Sequence, residues 1–273
     1  MFFGRTPEPL ALDTWRKNLS LGLLALTMAV PCTFAKELRI VTIDSAPFGF
    51  HTADGKPTGM IYEISNLIAE EAGFNYTNEI LPYPRTVHAV GSGDADFVIR
   101  YGNAELENVA IPVARVLSLP TIVVGHPSVK FESLKDLHGK TVGIPRGGRF
   151  DDAFEANTAI LKYPVADYAQ AIKMVTAQRI DAGIGSSVGL YYNAHLLGIK
   201  KEQLGKPLVL STQHFALHFS KKRENQETIA ALRIAVARLE KRNAIKKIVD
   251  KYLSTFDWDL MPKQVPSSAA PRQ

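Results

Sequence analysis

One ordered series of apolar runs and amphipathic stretches occurs twice along this chain. A chain that alternates strand and helix in this way is confined to layered α/β folds with largely parallel sheets. The first series opens at residues 38–43, a strand of the buried type, and Asp44-Ser45-Ala46-Pro47-Phe48 leaves it as a loop. After a polar turn at residues 51–57, Met60 or Ile61, Ile64, Leu67, Ile68 and Ala72 keep helical spacing, with Gly73 where a helix-ending glycine belongs. Residues 75–81 then read as a strand, 86–90 as a short helix and 96–99 as a third strand. In the second series the strands fall at residues 141–144, 163–165 and 181–184, and the helices at 150–156 and 169–176. The two series also rhyme locally: residues 89–97 correspond to residues 174–182, with Asp96 opposite Asp181. Two similar α/β lobes are expected, with a ligand site between the loops beyond the carboxyl ends of their strands. Residues 119–125 and 213–219 read as the two extended connections, and so as a hinge.

The beginning of the chain has a different character. Arg16-Lys17 precede the uncharged run 19–30, and Pro31-Cys32-Thr33-Phe34-Ala35 follows with small residues at Thr33 and Ala35. This pattern predicts a signal peptide over residues 1–35, cleaved after Ala35, and hence an exported, periplasmic protein. The uncharged segment is shorter than the roughly 20 apolar residues of a membrane span, and a proline interrupts it. Loss of the leader removes Arg5, Arg16 and Lys17 against Glu8 and Asp13, so the net charge of +5 falls by one. Many of the remaining basic residues lie between Lys221 and Lys251, interleaved with acids, which describes a solvated face and not a nucleic-acid footprint. The single cysteine, Cys32, is in the leader, so the mature chain has no disulfide and no cysteine-based metal site. The histidines are scattered without metal-ligand spacing. No cofactor, metal or nucleic-acid partner is expected.

With 46% hydrophobic residues the chain can bury a sizeable core. The expected division is lobe 1 over residues 36–122 and 217–256, lobe 2 over 123–216, and a disordered tail over 257–273. Ile229, Leu232, Val236 and Leu239, then Ile245, Ile248, Val249 and Leu253, predict two amphipathic helices separated by Arg242-Asn243.

Residues 139–157 hold a candidate ligand feature. The run Thr141-Val142-Gly143-Ile144 meets the turn Pro145-Arg146-Gly147-Gly148 and then an expected helix beginning at Arg149. Such a junction leaves the first helical N–H groups unpaired, with the positive end of the helix dipole behind them. The glycines lack the spacing of the nucleotide-binding motifs, and no Gly-Lys-Ser/Thr follows. The competing reading is a tight turn that needs glycine for backbone geometry alone.

Four segments in a familiar order carry a resemblance: Asp54-Gly55-Lys56-Pro57-Thr58-Gly59, Gly93-Asp94-Ala95-Asp96, residues 134–143 (Leu134-Lys135-Asp136-Leu137 through Gly143) and Arg179-Ile180-Asp181-Ala182. They resemble the family 3 extracellular solute-binding proteins, which include the polar amino-acid receptors of bacterial ABC transporters. The resemblance covers about residues 38–253. It implies the two-lobed type II periplasmic binding protein fold, with a ligand cleft between lobes joined by two hinge strands. It further implies a monomer that captures a small molecule for an ABC permease or a membrane sensor.

The departures from the family pattern bear on the ligand. In the amino-acid receptors an arginine after the third strand clamps the ligand α-carboxylate, and the aligned residue here is Asn108; an aspartate holds the ammonium group, and the aligned residue is Ser186. A zwitterion desolvated without countercharges is costly. By the same alignment Arg100 and Tyr101, with Asn103 in the following loop, face the cleft from one lobe, and Arg149 stands beside Gly147 in the other, where the family usually has a threonine. Two guanidiniums and a helix start favour an anion. Tyr83, Arg85, Phe48 and Ser186 complete the candidate set. Each has a structural alternative: Arg100 as a surface loop residue, Arg149 paired with Asp151 or Asp152, Tyr83 and Phe48 as packing, Arg85 as loop support.

The function that follows is solute capture, of an amino-acid-like molecule or an organic acid, without catalysis. A periplasmic enzyme on the same scaffold, similar to the cyclohexadienyl dehydratases, is the alternative, but it requires a cleft acid. Glu105 and Glu107, after the third strand, read as solvent-facing. A transcriptional effector domain is disfavoured by the leader and by the absence of a helix-turn-helix pattern.

Overall fold

The computed structural model describes residues 1–4, 37–254 and 258–259. The expected cleavage site at Ala35 and most of the expected tail lie outside the described residues. In chain order the elements are β1 (Glu37–Ile43), β2 (Phe50–His51), β3 (Pro57–Thr58), α1 (Met60–Glu71), β4 (Asn75–Leu81), α2 (Tyr83–Ser92), β5 (Phe97–Tyr101) and α3 (Ala104–Val109). Then follow β6 (Ala110–Gly125), β7 (Thr141–Pro145), α4 (Asp152–Ala156), β8 (Leu161–Val165), α5 (Tyr168–Thr176), β9 (Ala182–Ser186) and α6 (Ser187–Leu196). The long strand β10 (Leu208–Ser220) and the helices α7 (Gln226–Lys241) and α8 (Ala244–Leu253) complete the fold.

The main sheet runs β4-β1-β5-β10-β6-β9-β7-β8. Each series builds a parallel triad, β4-β1-β5 and β8-β7-β9, as the alternation of strand and helix demands. The sheet as a whole is mixed, however. Strands β6 and β10 are antiparallel to each other, β10 is antiparallel to β5, and β6 to β9. The two segments expected to be simple connections are therefore the centre of one continuous sheet. Their pairing carries register shifts at Val209/Ser211, Phe215/Ala216 and Leu217/His218, irregularities of the kind that bend and twist paired strands.

Helix α1 shows how local sequence sets its boundaries. Met60, Ile61, Ile64, Ile68 and Ala69 are buried, one apolar stripe at helical spacing. Its first N–H groups are taken by the loop after β1, with Met60 N–H donating to the Pro47 carbonyl at 2.7 Å and Ile61 N–H to that of Phe48 at 2.9 Å. This close crossing requires Gly59, where an added Cβ would stand 2.5 Å from the Phe48 carbonyl oxygen. At the other end, Gly73 adopts φ +81 just past the helix. Helices α7 and α8 break at Asn243, which adopts the left-handed conformation.

Two local readings are corrected. The helix expected from Arg149 begins at Asp152, because Asp151 is its N-cap and accepts the Phe154 N–H at 2.9 Å. The turn at Gly147 and Gly148 thus closes on itself, Gly148 N–H donating to the Pro145 carbonyl, and is not a helix start. Helix α6, unforeseen in the sequence, is buried on most sides, with Val188, Leu190, Tyr191, Asn193 and Ala194 all inside. A helix without a polar face has no amphipathic period to read.

Candidate functional site

Loops at the carboxyl ends of both parallel triads converge on a cavity of about 580 Å³. Asp44, Ser45 and Phe48 come from the loop after β1, Tyr83 from the start of α2, and Tyr101 from the end of β5. From the second triad come Arg146 and Arg149 after β7, and Asp167 and Tyr168 after β8. This is where open α/β sheets place ligands, because there the strands end and the loops are free to vary.

The wall is largely aromatic. Phe215 of β10 packs 4.1 Å from Tyr101 and 5.2 Å from Phe48 between ring centroids. Phe150 and Tyr168 lie together opposite, 6.4 Å apart. Tyr168 is held by two glycines: a Cβ on Gly185 would fall 2.2 Å from its ring, and one on Gly189 2.5 Å. Burial pushes the Tyr168 phenol up to about 12. The Tyr101 phenol is held well above its usual value, by burial first. Both are neutral hydroxyls at physiological pH, and the Tyr101 oxygen is buried with no hydrogen-bond partner among the described residues.

Charge of both signs reaches the cavity. Arg146 and Arg149 are exposed on its wall and make no ion pair among the described residues. Asp151, considered above as a partner for Arg149, is engaged in capping α4. Asp167 caps α5 by accepting the Gln170 N–H at 2.7 Å, and Asp44 stands where β1 ends. The sequence reading placed no acid in the cleft; the structure places these two. Asn193 of α6 bridges the cavity mouth, donating from Nδ2 to the Ala46 carbonyl at 2.9 Å and to the Gly189 carbonyl at 2.8 Å.

Of the residues singled out from sequence, Tyr83, Tyr101, Phe48 and Arg149 meet on the cavity wall. Arg100 does not line it: the residue is fully buried, with Cζ 3.7 Å from the centroid of the Tyr83 ring that covers it. Burial lowers the Arg100 pKa, with Tyr83 and Glu105 acting in the opposite sense. Asn103 caps α3 through the Leu106 N–H at 2.9 Å. Ser186 is buried and caps α6, accepting the Gly189 N–H at 3.0 Å. Gly147 adopts φ +77 beside Tyr83, whose ring an added Cβ would meet at 3.0 Å, but it does not line the cavity, and Arg85 is exposed on α2 away from the wall. Asn108, at the position where the resemblance implies a clamp, is exposed, and its carbonyl accepts from Lys221 Nζ at 3.2 Å.

Asp44, Ser45, Arg146, Phe150, Asp167, Tyr168, Asn193 and Phe215 line the cavity but were not among the residues chosen from sequence. For Asp44 the signal was present, since it directly follows the apolar strand β1; Asp167 comes two residues after the mostly exposed strand β8. Asn193 and Phe215 belong to elements whose faces only packing decides. Among the described residues no helix is long and apolar enough to cross a membrane, and no three His, Cys, Asp or Glu residues are grouped to hold a metal.

Residues 38–109, which hold the first two of the four resemblance segments, match the family model described as bacterial extracellular solute-binding proteins, family 3. No curated protein sequence matches the chain. Solved structures match over most of its length. An ancestral arginine-binding protein bound to arginine superposes with a TM-score of 0.68 at 18% identity, covering 80% of this chain and 99% of that one. The arginine-, lysine-, histidine-binding protein ArtJ from Geobacillus stearothermophilus gives 0.67 at 17% identity, covering 81% and 97%. A histidine kinase sensor domain with similarity to periplasmic binding proteins gives 0.69 at 18%, also covering 81% and 97%. At these identities the likeness establishes the fold, the two-lobed architecture of the periplasmic binding proteins.

Proposed function

We propose that this protein is an exported solute receptor that closes around one small polar or anionic molecule, amino-acid-like or an organic acid, and presents it to an ABC permease. The observation that carries this reading is the cavity of about 580 Å³ built from the strand-end loops of both triads, with Arg146 and Arg149 on its wall making no ion pair among the described residues. The family match over residues 38–109 and the fold of the arginine-binding proteins support it. In this reading the leader directs the chain to the periplasm, the receptor works as a monomer, and β6 and β10 are the hinge on which it opens. The aromatic wall excludes water from the solute, so that hydrogen bonds to Tyr101 and Asn193 and charge interactions with the arginines gain strength. Capture without turnover is the proposed role for a cavity that Asp44 and Asp167 nonetheless furnish with carboxylates.

A second reading has support in the histidine kinase sensor domain, whose fold matches equally well. There the closed form would be read by a membrane sensor. Thermal-shift screening of the purified protein against amino acids, organic acids and aromatic acids tests solute capture, because binding to the native state raises apparent stability by mass action. Mass spectrometry of the solute recovered after prolonged incubation tests the absence of turnover. If no small molecule in such a screen raises the melting temperature, the receptor reading fails.

A further inference from the structure

We propose that Arg100 and Tyr83 form a covered carboxylate site in the wall of this cavity: Arg100 grips both oxygens of a solute's carboxylate, and the Tyr83 ring moves aside to admit them. The inference rests on the receptor reading above and names the chemical group that the receptor selects.

The bonding of Arg100 is one-sided. Its Nη1 donates to Thr86 Oγ1 at 3.1 Å, while Nε and Nη2 are buried with no partner among the described residues. Those two nitrogens share one edge of the guanidinium, and their N–H groups form the parallel fork that matches the two oxygens of a carboxylate. Arg100 makes no ion pair among the described residues, although it is fully buried. Its partner across the sheet on β10 is Ala216, which has no polar side-chain atom to offer it. Two residues further along β10, His218 is also buried, with both ring nitrogens unpartnered among the described residues, and an imidazole, neutral or protonated, cannot serve as the counterion.

A buried guanidinium with its fork empty is a costly arrangement, and a group left so in a folded protein calls for a partner that arrives later. The ring of Tyr83, stacked 3.7 Å from Cζ, compensates only part of the lost hydration. Tyr83 lines the cavity and its ring also stacks on Arg100, so it stands between the guanidinium and that part of the cavity. An arginine kept for structure would have its fork filled by a carboxylate or by carbonyl groups. This one is held at its far end by Thr86 and is open at the end that recognises carboxylates.

The test uses the purified full chain with acetate and benzoate, the uncharged isostere benzamide, and inorganic phosphate, read by thermal shift and calorimetry. Benzoate or acetate raises the melting temperature and benzamide does not. Arg100→Met weakens carboxylate binding by about 30-fold or more, the equivalent of losing one partner of a buried charge pair, while the empty variant melts no lower than the wild type. Tyr83→Ala, which removes the cover, speeds benzoate association in stopped flow. A second reading that does not depend on isolating the methionine variant comes from the Arg100 Nε–H resonance, assigned through Arg100→Lys, which moves downfield as benzoate is added. An Arg100→Met variant that melts lower and binds carboxylates unchanged, an Nε–H resonance that does not move at saturating benzoate, or a preference for phosphate overturns the proposal. Uncharged or cationic solutes that alone stabilise wild type and Arg100→Met alike overturn it and leave the receptor reading standing, whereas no response to any solute ends both.

Discussion

Asp181 does for strand β7 what Asp96 does for strand β1. The Oδ2 of Asp96 accepts the Arg39 N–H at 2.8 Å, and that of Asp181 accepts the Thr141 N–H at 2.7 Å. In return the N–H of each aspartate donates to the carbonyl of the same residue, at 2.7 Å for Asp96 and 2.9 Å for Asp181. Each aspartate thus locks the head of the first strand in its triad to the turn before the third. The rhyme between residues 89–97 and 174–182 has this physical cause.

The two locks differ in burial, and their variants should differ accordingly. The Asp96 side chain is fully buried and paired with Arg223 at 3.1 Å, whereas that of Asp181 is 34% exposed and lies 3.6 Å from Lys140. Asp96→Ala is expected to cost about 2–4 kcal/mol of unfolding free energy and Asp181→Ala about 1–2 kcal/mol. Urea denaturation at neutral pH measures both, and equal losses would contradict the burial argument.

His218 gives the fold an acid-sensitive point. Burial, reinforced by the neighbouring Arg100 charge, pushes its imidazole from 6.5 down to about 4. The unfolded chain therefore binds the proton more readily than the folded one, and stability falls as pH drops from about 6.5 through about 4. The full contribution is on the order of 3 kcal/mol. His218→Leu should flatten this part of the stability profile, as followed by denaturation between pH 7 and pH 4.

Gly147 is expected to govern closure. Its φ of +77 disfavours a side chain, and an added Cβ would stand 3.0 Å from the Tyr83 ring. Gly147→Ala should cost about 1–2 kcal/mol in backbone strain and push against Tyr83. The expected result is weaker solute binding than the stability loss alone explains. Small-angle scattering at saturating solute should show a larger radius of gyration than for the wild type.

Tyr252 of α8 ties the C-terminal helices to the turn that leads into α1. Its hydroxyl donates to Glu63 Oε1 at 2.6 Å, accepts the Gly59 N–H at 3.0 Å and lies 3.0 Å from Thr58 Oγ1. Tyr252→Phe keeps the ring and leaves the buried Gly59 N–H unpaired, for an expected loss of about 1–3 kcal/mol. Faster hydrogen exchange at Gly59 and Met60 is the local signature to measure.

Alternation of strands and helices was legible because it is written in the spacing of apolar residues along single elements. The helix stripe from Met60 to Ala69 is an example, as is the strand at residues 75–81, recovered with the same ends. The site was legible only in part. Tyr83, Tyr101, Phe48 and Arg149 reach the cavity because residues that end strands or begin loops lie where the sheet opens. Arg100 met the same criterion but is sealed beneath Tyr83, since consecutive residues of a strand point to opposite faces and the face of Arg100 is covered by α2. The helix expected at Arg149 moved because a capping bond from Asp151, a matter of rotamer and turn geometry, sets its first residue.

By itself the sequence determined that two βα series with matching aspartates form two similar α/β units, because periodicity and the local bonds of turns act over a few neighbouring residues. Tertiary structure alone decided that β6 and β10 fuse the halves into one mixed sheet. It also decided that Asn193 and Phe215 reach the cavity and that the Arg100 fork lies buried and unfilled among the described residues. Each of these depends on which faces meet across distant parts of the chain, and that is settled by packing and hydrogen-bond satisfaction over the whole molecule.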